Sequence, residues 1–388
     1  MSATKNKYIS KLVHDLKPSG IRRFFDLAAG MEGVISLGVG EPDFVTPWSI
    51  REAAIESLEE GYTSYTPNAG LLELRVEIAD YLKTRFNVEY SPAEIIVTVG
   101  ASSAIDAAMR TILNPGDEVI VVEPCFVSYS PMVTLAGGVP VPVQALKEND
   151  FKILPSQLEA AITDKTKAIM LCSPNNPTGT MLNKQELEAI AEIAIRHDLL
   201  VLADEIYAEL SYDEEYTSMA AIDGMWERTI LINGFSKAFA MTGWRLGYVC
   251  APPEISSAIL KVQQYSLLCA PTMSQYAAIE ALKNGQPEVE KMVASYHLRR
   301  NFIVNSFNEI GLSCHMPGGA FYAFPSIEST GLTSQQFAEQ LLMKESVAVV
   351  PGDVFGESGE GHIRCSYATS MDELREAMKR IQRFVESL

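Results

Sequence analysis

The stretch TILINGFSKAFAMTGWRLGYVCAP, residues 229–252, contains two short apolar runs joined by a segment that carries a lysine and an arginine. Lys237 and Arg245 are eight residues apart, a spacing that on a helix would turn their side chains about 80° from each other. Gly243 and Gly247 would weaken such a helix. The stretch therefore predicts a strand, a loop and a strand. Two basic groups on one loop are typical of a solvated turn or of a site for an anion.

Short apolar runs of the same kind recur throughout the middle of the chain. They are IIVTVG (95–100), EVIVVEP (118–124), AIMLCSP (168–174) and LLVLADEIY (199–207), followed by the two runs of the first stretch. Helical patterns such as NKQELEAIAEIAIRHD (183–198) separate most of these runs. This alternation predicts an α/β fold with a mostly parallel central sheet that helices cover on both faces.

The pattern changes after about residue 285, where a long charged helical stretch precedes the shorter strand-like runs AFYAFP, VAVVPG and HIRCSYA. A chain of 388 residues is also too long for one compact core. We therefore predict a large α/β domain over residues 46–284. We further predict a smaller α+β domain that combines residues 285–388 with the N-terminal segment 1–45.

Composition excludes several classes of function. The net charge of −18 repels nucleic acid and anionic membranes, so a small anionic ligand must be held by local cations or backbone N–H groups. No stretch approaches the roughly 20 apolar residues of a membrane helix, and no apolar signal core is present, which predicts a cytoplasmic protein. The six cysteines and five histidines are scattered without the spacing of a metal site, so no metal is predicted.

Polar and aromatic side chains follow the predicted strands at the points where the strands end. In open parallel sheets, ligands bind beyond these carboxyl ends. The residues found there are Gly100, Ala101, Ser102, Phe126, Asn175, Asn176, Asp204, Tyr207, Ser236 and Lys237. Together they offer a helix N-terminus, an aromatic ring, amides, an acid, a phenol, hydroxyls and an amine. Such a set suits a phosphorylated aromatic heterocycle that bears an aldehyde.

Motifs along nearly the whole chain resemble the class I and II aminotransferases of the fold-type-I pyridoxal phosphate enzymes. The motifs are ISLGVGEPDF (35–44), SYTPNAGLLELR (64–75), SPNNPTGT, ADEIY, FSKAFAMTGWRLG and IRCSYA. Within that family the chain is most similar to the prokaryotic aromatic and aspartate aminotransferase subgroup. The resemblance implies pyridoxal 5′-phosphate as cofactor. It also implies ping-pong transfer of an amino group between an L-amino acid, aromatic or aspartate-like, and a 2-oxo acid such as 2-oxoglutarate.

The resemblance implies catalytic roles for residues at the strand ends. Lys237 matches the lysine that binds the cofactor aldehyde covalently and later moves a proton at the substrate Cα. Asp204 matches the acid that keeps the pyridine nitrogen protonated. Tyr207 and Asn176 match the groups that hydrogen-bond the phenolic oxygen of the cofactor, and Phe126 matches the aromatic residue that stacks on its ring.

The resemblance also implies a phosphate site. Ala101 and Ser102 supply N–H groups and a hydroxyl at a helix N-terminus, where the helix dipole favours anions. Ser236 and Arg245 complete this site, which assigns the arginine of the first stretch to an anion. Tyr65, in SYTPNAG, matches a tyrosine that reaches the phosphate of the partner subunit. The chain is therefore expected to form a homodimer with shared active sites.

For the substrate, Arg364 in HIRCSYA corresponds to the arginine that binds the α-carboxylate, a task for which a planar guanidinium fork is well suited. Gly40 resembles the glycine whose backbone approaches the same carboxylate, where a Cβ would obstruct. We find no convincing equivalent of the second arginine that dicarboxylate-specific members use. Aromatic and aspartate-like donors therefore both stay open, and the chain is also similar to N-acetyl-diaminopimelate aminotransferases.

Two other functions are compatible with parts of the pattern. A pyridoxal phosphate-dependent C–S β-lyase would use nearly the same residues, because both reactions begin by deprotonating the substrate Cα. A regulator with an aminotransferase-like sensing domain would carry an N-terminal DNA-binding module, and no basic helix-turn-helix pattern precedes residue 35. The sequence therefore favours an aminotransferase.

Overall fold

The structure, a computed structural model, describes residues 8–18, 20 and 31–388. The strands are β1 (Ile35–Ser36), β2 (Ile95–Thr98), β3 (Glu118–Glu123), β4 (Val139–Gln144), β5 (Thr166–Cys172), β6 (Leu200–Asp204), β7 (Thr229–Gly234), β8 (Gly247–Cys250), β9 (Tyr322–Ala323), β10 (Val347–Ala348), β11 (Val350–Pro351) and β12 (Ile363–Ser366). The α-helices are α1 (Lys11–Asp15), α2 (Trp48–Glu59), α3 (Leu72–Phe86), α4 (Gly100–Ile112), α5 (Tyr129–Leu135), α6 (Pro155–Ala161), α7 (Lys184–Arg196), α8 (Pro253–Ser266), α9 (Thr272–Asn284), α10 (Gln286–Glu309), α11 (Ser334–Glu345) and α12 (Met371–Glu386). None of the helices in the described residues combines the length and apolarity that crossing a membrane requires.

A seven-stranded sheet in the order β2-β8-β7-β6-β5-β3-β4 forms the centre of the molecule. Strands β3 to β7 pair in parallel, and β8 is antiparallel to both of its neighbours. The predicted α/β class with a mostly parallel sheet is confirmed. The one departure from parallel pairing lies at β8, which follows β7 through the loop of Lys237 and Arg245 without a crossover helix.

Helices cover both faces of this sheet because its strands are apolar on both sides. Along β3, Val119 and Val121 pack in one cluster with residues of α4 and α8, such as Ile259. The intervening Ile120 packs in a second cluster, on the opposite face, with residues of α6 and α7 such as Leu187. The alternation of β3 side chains between two clusters accounts for its unbroken apolar sequence.

Strand β4 is an edge strand that the apolar runs do not predict. Its sequence is VPVPVQ, and proline cannot donate a backbone hydrogen bond to a neighbouring strand. Pro140 and Pro142 are tolerated because β4 pairs only with β3 and leaves its other edge without a partner strand in the described part of the chain. Prolines at this edge also hinder pairing with another chain.

A smaller antiparallel sheet, in the order β11-β12-β9, lies in the C-terminal part of the chain. The N-terminal segment joins this region, since β1 pairs in parallel with β10 and the Ser366 N–H donates to the Leu37 carbonyl. These contacts agree with a smaller unit built from both ends of the chain. The division into residues 46–284, 285–388 and 1–45 stays a prediction, and part of 1–45 lies outside the described residues.

Candidate active site

A cavity of about 480 Å³ lies beyond the carboxyl ends of β6 and β7. Most of the residues predicted from the strand ends and the motifs line it. These are Gly40, Ala101, Ser102, Phe126, Asn176, Asp204, Tyr207, Ser236, Lys237, Arg245 and Arg364. Of the twelve residues to which the resemblance gives a role, eleven line this cavity and Tyr65 does not. Gly100 and Asn175, which were predicted only from the strand ends, do not line it.

Lys237 lies in the turn that follows β7, and its Nζ donates a 2.6 Å hydrogen bond to the Gly40 carbonyl. Burial and the nearby Arg364 charge lower the pKa of Lys237 to about 8, against the opposing charge of Glu41. A neutral amine is therefore accessible at a pH where an ordinary lysine is almost fully protonated. The neutral form is the one that can act as a nucleophile or accept a proton.

Asp204 ends β6 and is buried. Its Oδ2 accepts a 2.6 Å hydrogen bond from the Tyr129 hydroxyl, and its Oδ1 accepts one of 3.2 Å from the Ile206 N–H. Burial raises the pKa of Asp204, and the two hydrogen bonds and the Lys237 charge oppose this rise. A cation placed beside this carboxylate would stabilise its ionised form.

Tyr129 is a site residue that the sequence reasoning missed. It begins α5, its ring is buried, and it packs edge-to-face on Phe126 with 5.6 Å between the ring centroids. Burial and the neighbouring Asp204 charge raise the pKa of Tyr129, so the phenol stays protonated and donates a hydrogen bond to Asp204. Its position in the sequence, three residues after Phe126 and beyond the end of β3, is the signal that could have identified Tyr129 as a site residue.

Tyr207 and Asn176 each contact a second residue of the cavity. The Tyr207 hydroxyl lies 2.9 Å from the Tyr322 hydroxyl, and burial raises the pKa of Tyr207, so it stays protonated. The Asn176 Oδ1 accepts a 2.9 Å hydrogen bond from the Arg364 Nη1. Tyr322 also lines the cavity and was missed, because its run AFYAFP follows the pattern of an ordinary core strand.

The N-terminus of α4 lies against the loop of the first stretch. Gly100 has a φ of +77°, and a Cβ on it would lie 2.7 Å from the Arg245 Nη2. A Cβ on Gly247 would lie 2.6 Å from the Ala101 nitrogen. The two glycines therefore let the loop place a guanidinium close to the N–H groups that begin α4. Such a combination favours an anion such as a phosphate.

Arg364 lies in β12 and is only 3% exposed. Its Nη2 donates a 2.6 Å hydrogen bond to the Gly38 carbonyl, while its Nε has no hydrogen-bond partner among the described residues. Burial lowers the pKa of Arg364, and the ionisable groups that oppose this are the phenols of Tyr322 and Tyr207 and a thiol, not carboxylates. A buried guanidinium in these surroundings suits a carboxylate ligand.

Gly40 lies where the N-terminal segment crosses the cavity. A Cβ on Gly40 would lie 2.7 Å from the Tyr322 hydroxyl, so a larger residue would push the segment away from the cavity. The Gly40 carbonyl accepts from Lys237, and the Gly38 carbonyl accepts from Arg364. The segment therefore contacts the amine and the buried guanidinium at the same time.

Tyr65 does not line this cavity, and its side chain is 84% exposed. Its predicted role at the partner's phosphate site needs a second subunit and stays a prediction.

Potential metal ligands do not cluster in the part of the chain that the structure describes. Within the described ranges no group of three or more histidine, cysteine, aspartate or glutamate side chains could hold a metal ion.

The chain is similar to known proteins along nearly its whole length. A family model described as aminotransferase class I and II matches residues 32–381. The Bacillus subtilis protein YugH is 64% identical over 379 residues, covering 97% of this chain and 98% of YugH. An aspartate aminotransferase of Pyrococcus abyssi is 50% identical and covers 95% of this chain and 96% of its own length. The crystal structure of an aromatic aminotransferase from Pyrococcus horikoshii superposes with a TM-score of 0.90 at 47% identity, over 95% of this chain and 99% of that one.

Proposed function

We propose a function from the premise that this chain belongs to the class I and II aminotransferase family. The chain is an aminotransferase, and we propose that it uses pyridoxal 5′-phosphate to move an amino group between an L-amino acid and a 2-oxo acid by a ping-pong mechanism. One observation carries this proposal. Lys237, with its pKa lowered to about 8, shares a cavity with the buried Asp204 and Arg364.

The residues present fit pyridoxal phosphate. Arg245 and the N-terminus of α4 are assigned to the phosphate, and a Cβ on Gly100 would displace the Arg245 guanidinium from this position. Asp204 is buried, and no cation among the described residues is in hydrogen-bond contact with it, so it suits a protonated ring nitrogen. Phe126 lines the cavity, where it can cover a ring face. Tyr207 is a protonated donor for the phenolic oxygen. We also assign Ala101, Ser102 and Ser236 to the phosphate and Asn176 to the phenolic oxygen.

When bound, the cofactor supplies an electron sink for the bond that breaks at the substrate Cα. Lys237 provides the group that accepts and returns the Cα proton, and its lowered pKa keeps part of it neutral near neutral pH. The Gly40 carbonyl orients its Nζ through the 2.6 Å hydrogen bond. Asp204 holds the proton on the ring nitrogen, and Tyr129 holds Asp204 in place.

Arg364 is the proposed α-carboxylate site. Its unpartnered Nε provides a donor for a substrate oxygen, and Gly40 leaves room for the carboxylate beside the backbone. We propose aromatic or aspartate-like amino acids as donors and a 2-oxo acid such as 2-oxoglutarate as acceptor. The activities for which the Pyrococcus relatives are named support this substrate class.

A homodimer with shared sites is part of the proposal. Tyr65 is exposed, and so are the large apolar or aromatic side chains of Trp48, Leu72 and Tyr265. Large apolar side chains left exposed in one subunit are compatible with burial against a second subunit. A mixed dimer of Tyr65→Ala and Lys237→Ala subunits tests it, because only a Tyr65 that acts on the partner's site restores one complete site. Activity no higher than in either parent variant would contradict sharing of the active sites.

Localisation of the protein in the cytoplasm stays a prediction.

A panel of amino donors tests the reaction itself. The cofactor-loaded protein is mixed with each L-amino acid, including aspartate, phenylalanine and tyrosine, with and without 2-oxoglutarate. We expect amine transfer that depends on the 2-oxo acid, and no transfer by Lys237→Ala. Release of pyruvate and ammonia from cystathionine without any 2-oxo acid would instead identify a C–S β-lyase.

A further inference from the structure

Tyr322 contacts both Tyr207, which is proposed to bind the cofactor, and Arg364, which is proposed to bind the substrate carboxylate. It is 1% exposed and lies in β9, which pairs with β12, the strand that carries Arg364. Its hydroxyl is 2.9 Å from the Tyr207 hydroxyl, and its ring centroid is 4.6 Å from the Arg364 Cζ. We propose that Tyr322 is a positioning residue whose ring fixes Arg364 for the α-carboxylate and whose hydroxyl strengthens Tyr207 as a donor to the cofactor. This inference rests on the proposed function.

The ring of Tyr322 is one of two aromatic faces against Arg364. The other is Phe355, whose centroid lies 4.9 Å from the same Cζ. An arginine that lies close to two aromatic rings is attracted to both and loses freedom to tilt. Since the Arg364 Nη1 and Nη2 already bind Asn176 and the Gly38 carbonyl, the plane of the guanidinium decides where the unpartnered Nε points. Removing either ring should therefore weaken binding of a carboxylate.

The hydroxyl of Tyr322 contacts the proposed cofactor-binding residue Tyr207. A phenol has one proton to donate and two lone pairs that accept. If the Tyr207 hydroxyl donates its hydrogen bond to the phenolic oxygen of the cofactor, Tyr322 must be the donor in the hydrogen bond between Tyr207 and Tyr322. Accepting that hydrogen bond makes Tyr207 a stronger donor. Losing it should make the cofactor oxygen less stable as an anion, and so raise the pH midpoint of the cofactor absorbance.

Three variants separate the two roles in the cofactor-loaded enzyme. The readouts are the pH midpoint of the cofactor absorbance and the Kd of 3-phenylpropanoate, a monocarboxylate without an amine to transfer. Tyr322→Phe should raise the midpoint by about 0.3 to 1 pH unit and leave this Kd unchanged. Phe355→Leu should raise the Kd about 2- to 30-fold and leave the midpoint unchanged. Tyr322→Leu should do both.

Tyr212 is the matched control. Its hydroxyl donates to the Ala320 carbonyl and its ring lies 4.9 Å from the Arg300 Cζ, which repeats the chemistry of Tyr322 outside the cavity. Tyr212→Phe and Tyr212→Leu should change neither readout. If Tyr322→Leu does not fold, Tyr322→Met replaces it, because methionine fills the space without a ring.

This inference would be overturned by an unchanged pH midpoint in Tyr322→Phe. It would also be overturned by an unchanged Kd for 3-phenylpropanoate in Tyr322→Leu, or in Tyr322→Met where that variant replaces it. The wild-type enzyme shows whether the proposed function itself is at fault. If the wild type neither takes up pyridoxal phosphate nor binds the monocarboxylate, the proposed function fails. If the wild type does both, and the Tyr322 variants behave like the Tyr212 variants, only the role of Tyr322 is wrong.

Discussion

Arg245 and Arg364 represent two ends of the cavity that are built in different ways. Arg245 is exposed, lies in a loop with a φ of 53°, and donates through its Nη1 to the Thr242 carbonyl. Arg364 is buried in a strand between the rings of Tyr322 and Phe355. The first guanidinium can adjust to a ligand that arrives from solvent, whereas the second is held before any ligand binds.

The difference extends to the neighbours of each arginine. The proposed cofactor end uses the ends of β6 and β7, the N-terminus of α4 and the loop after Lys237, all of which belong to the seven-stranded sheet and its helices. The proposed substrate end combines residues 38–40 with β9 and β12, which are far apart in sequence. We infer that the cofactor end is built mainly from local strand-end motifs, and that the substrate end depends on contacts between distant segments.

The largest effect is expected at the proposed cofactor end. Asp204→Ala should lower the rate of substrate Cα deprotonation by about 10²- to 10³-fold, because the carboxylate that holds the ring proton is lost. Far-ultraviolet circular dichroism should stay unchanged. The measurement is the half-reaction with an amino donor followed by stopped-flow absorbance. A near-normal rate would show that Asp204 does not serve the ring nitrogen.

Exchanging each arginine for lysine tests the comparison itself. Arg364→Lys keeps the charge but loses the planar fork, so the Kd for amino donors should rise about 10- to 150-fold while the cofactor stays bound. Arg245→Lys should instead weaken pyridoxal phosphate retention. Measuring both constants in both variants controls for general damage. If Arg364→Lys releases the cofactor as readily as Arg245→Lys does, the two ends are misassigned.

The smallest effect is expected for Tyr129, which acts on the proposed reaction through its hydrogen bond to Asp204. Tyr129→Phe removes the 2.6 Å hydrogen bond to Asp204 and should raise the pKa of Asp204. A loss of about 1 kcal/mol corresponds to a roughly fivefold slower half-reaction, with the Kd for donors unchanged. Tyr129→Phe combined with Asp204→Ala should be no slower than Asp204→Ala alone. An additive loss in the double variant would mean that Tyr129 acts by another route.

Sequence patterns located the strand-end residues that line the cavity for a physical reason. Buried parallel strands are continuous apolar runs, so their ends are visible in the sequence, and Asp204 and Lys237 stand at those ends. The edge strand β4 was not predicted because prolines interrupt its apolar run. Roles within the cavity came from the family resemblance and not from the pattern.

Tyr129 and Tyr322 were missed because their roles depend on what they face. Tyr129 meets Asp204 across 75 positions of sequence, and Tyr322 meets Tyr207 across 115. A tyrosine in an apolar run gives no sign of which polar group its hydroxyl reaches. The position of Arg364 in the alternating run HIRCSYA likewise does not show that Phe355 covers it. Such pairings arise only when the tertiary structure brings distant segments together.

The central claim is that Lys237 is the lysine to which the cofactor is attached, and borohydride reduction followed by peptide mapping tests it most directly. The protein is loaded with pyridoxal 5′-phosphate, reduced, digested and analysed by mass spectrometry, with Lys237→Ala treated in parallel. We predict a pyridoxyl group on the peptide that contains Lys237 and none in the variant, which should still bind the cofactor reversibly through its phosphate. Attachment to any other lysine would contradict the assignment.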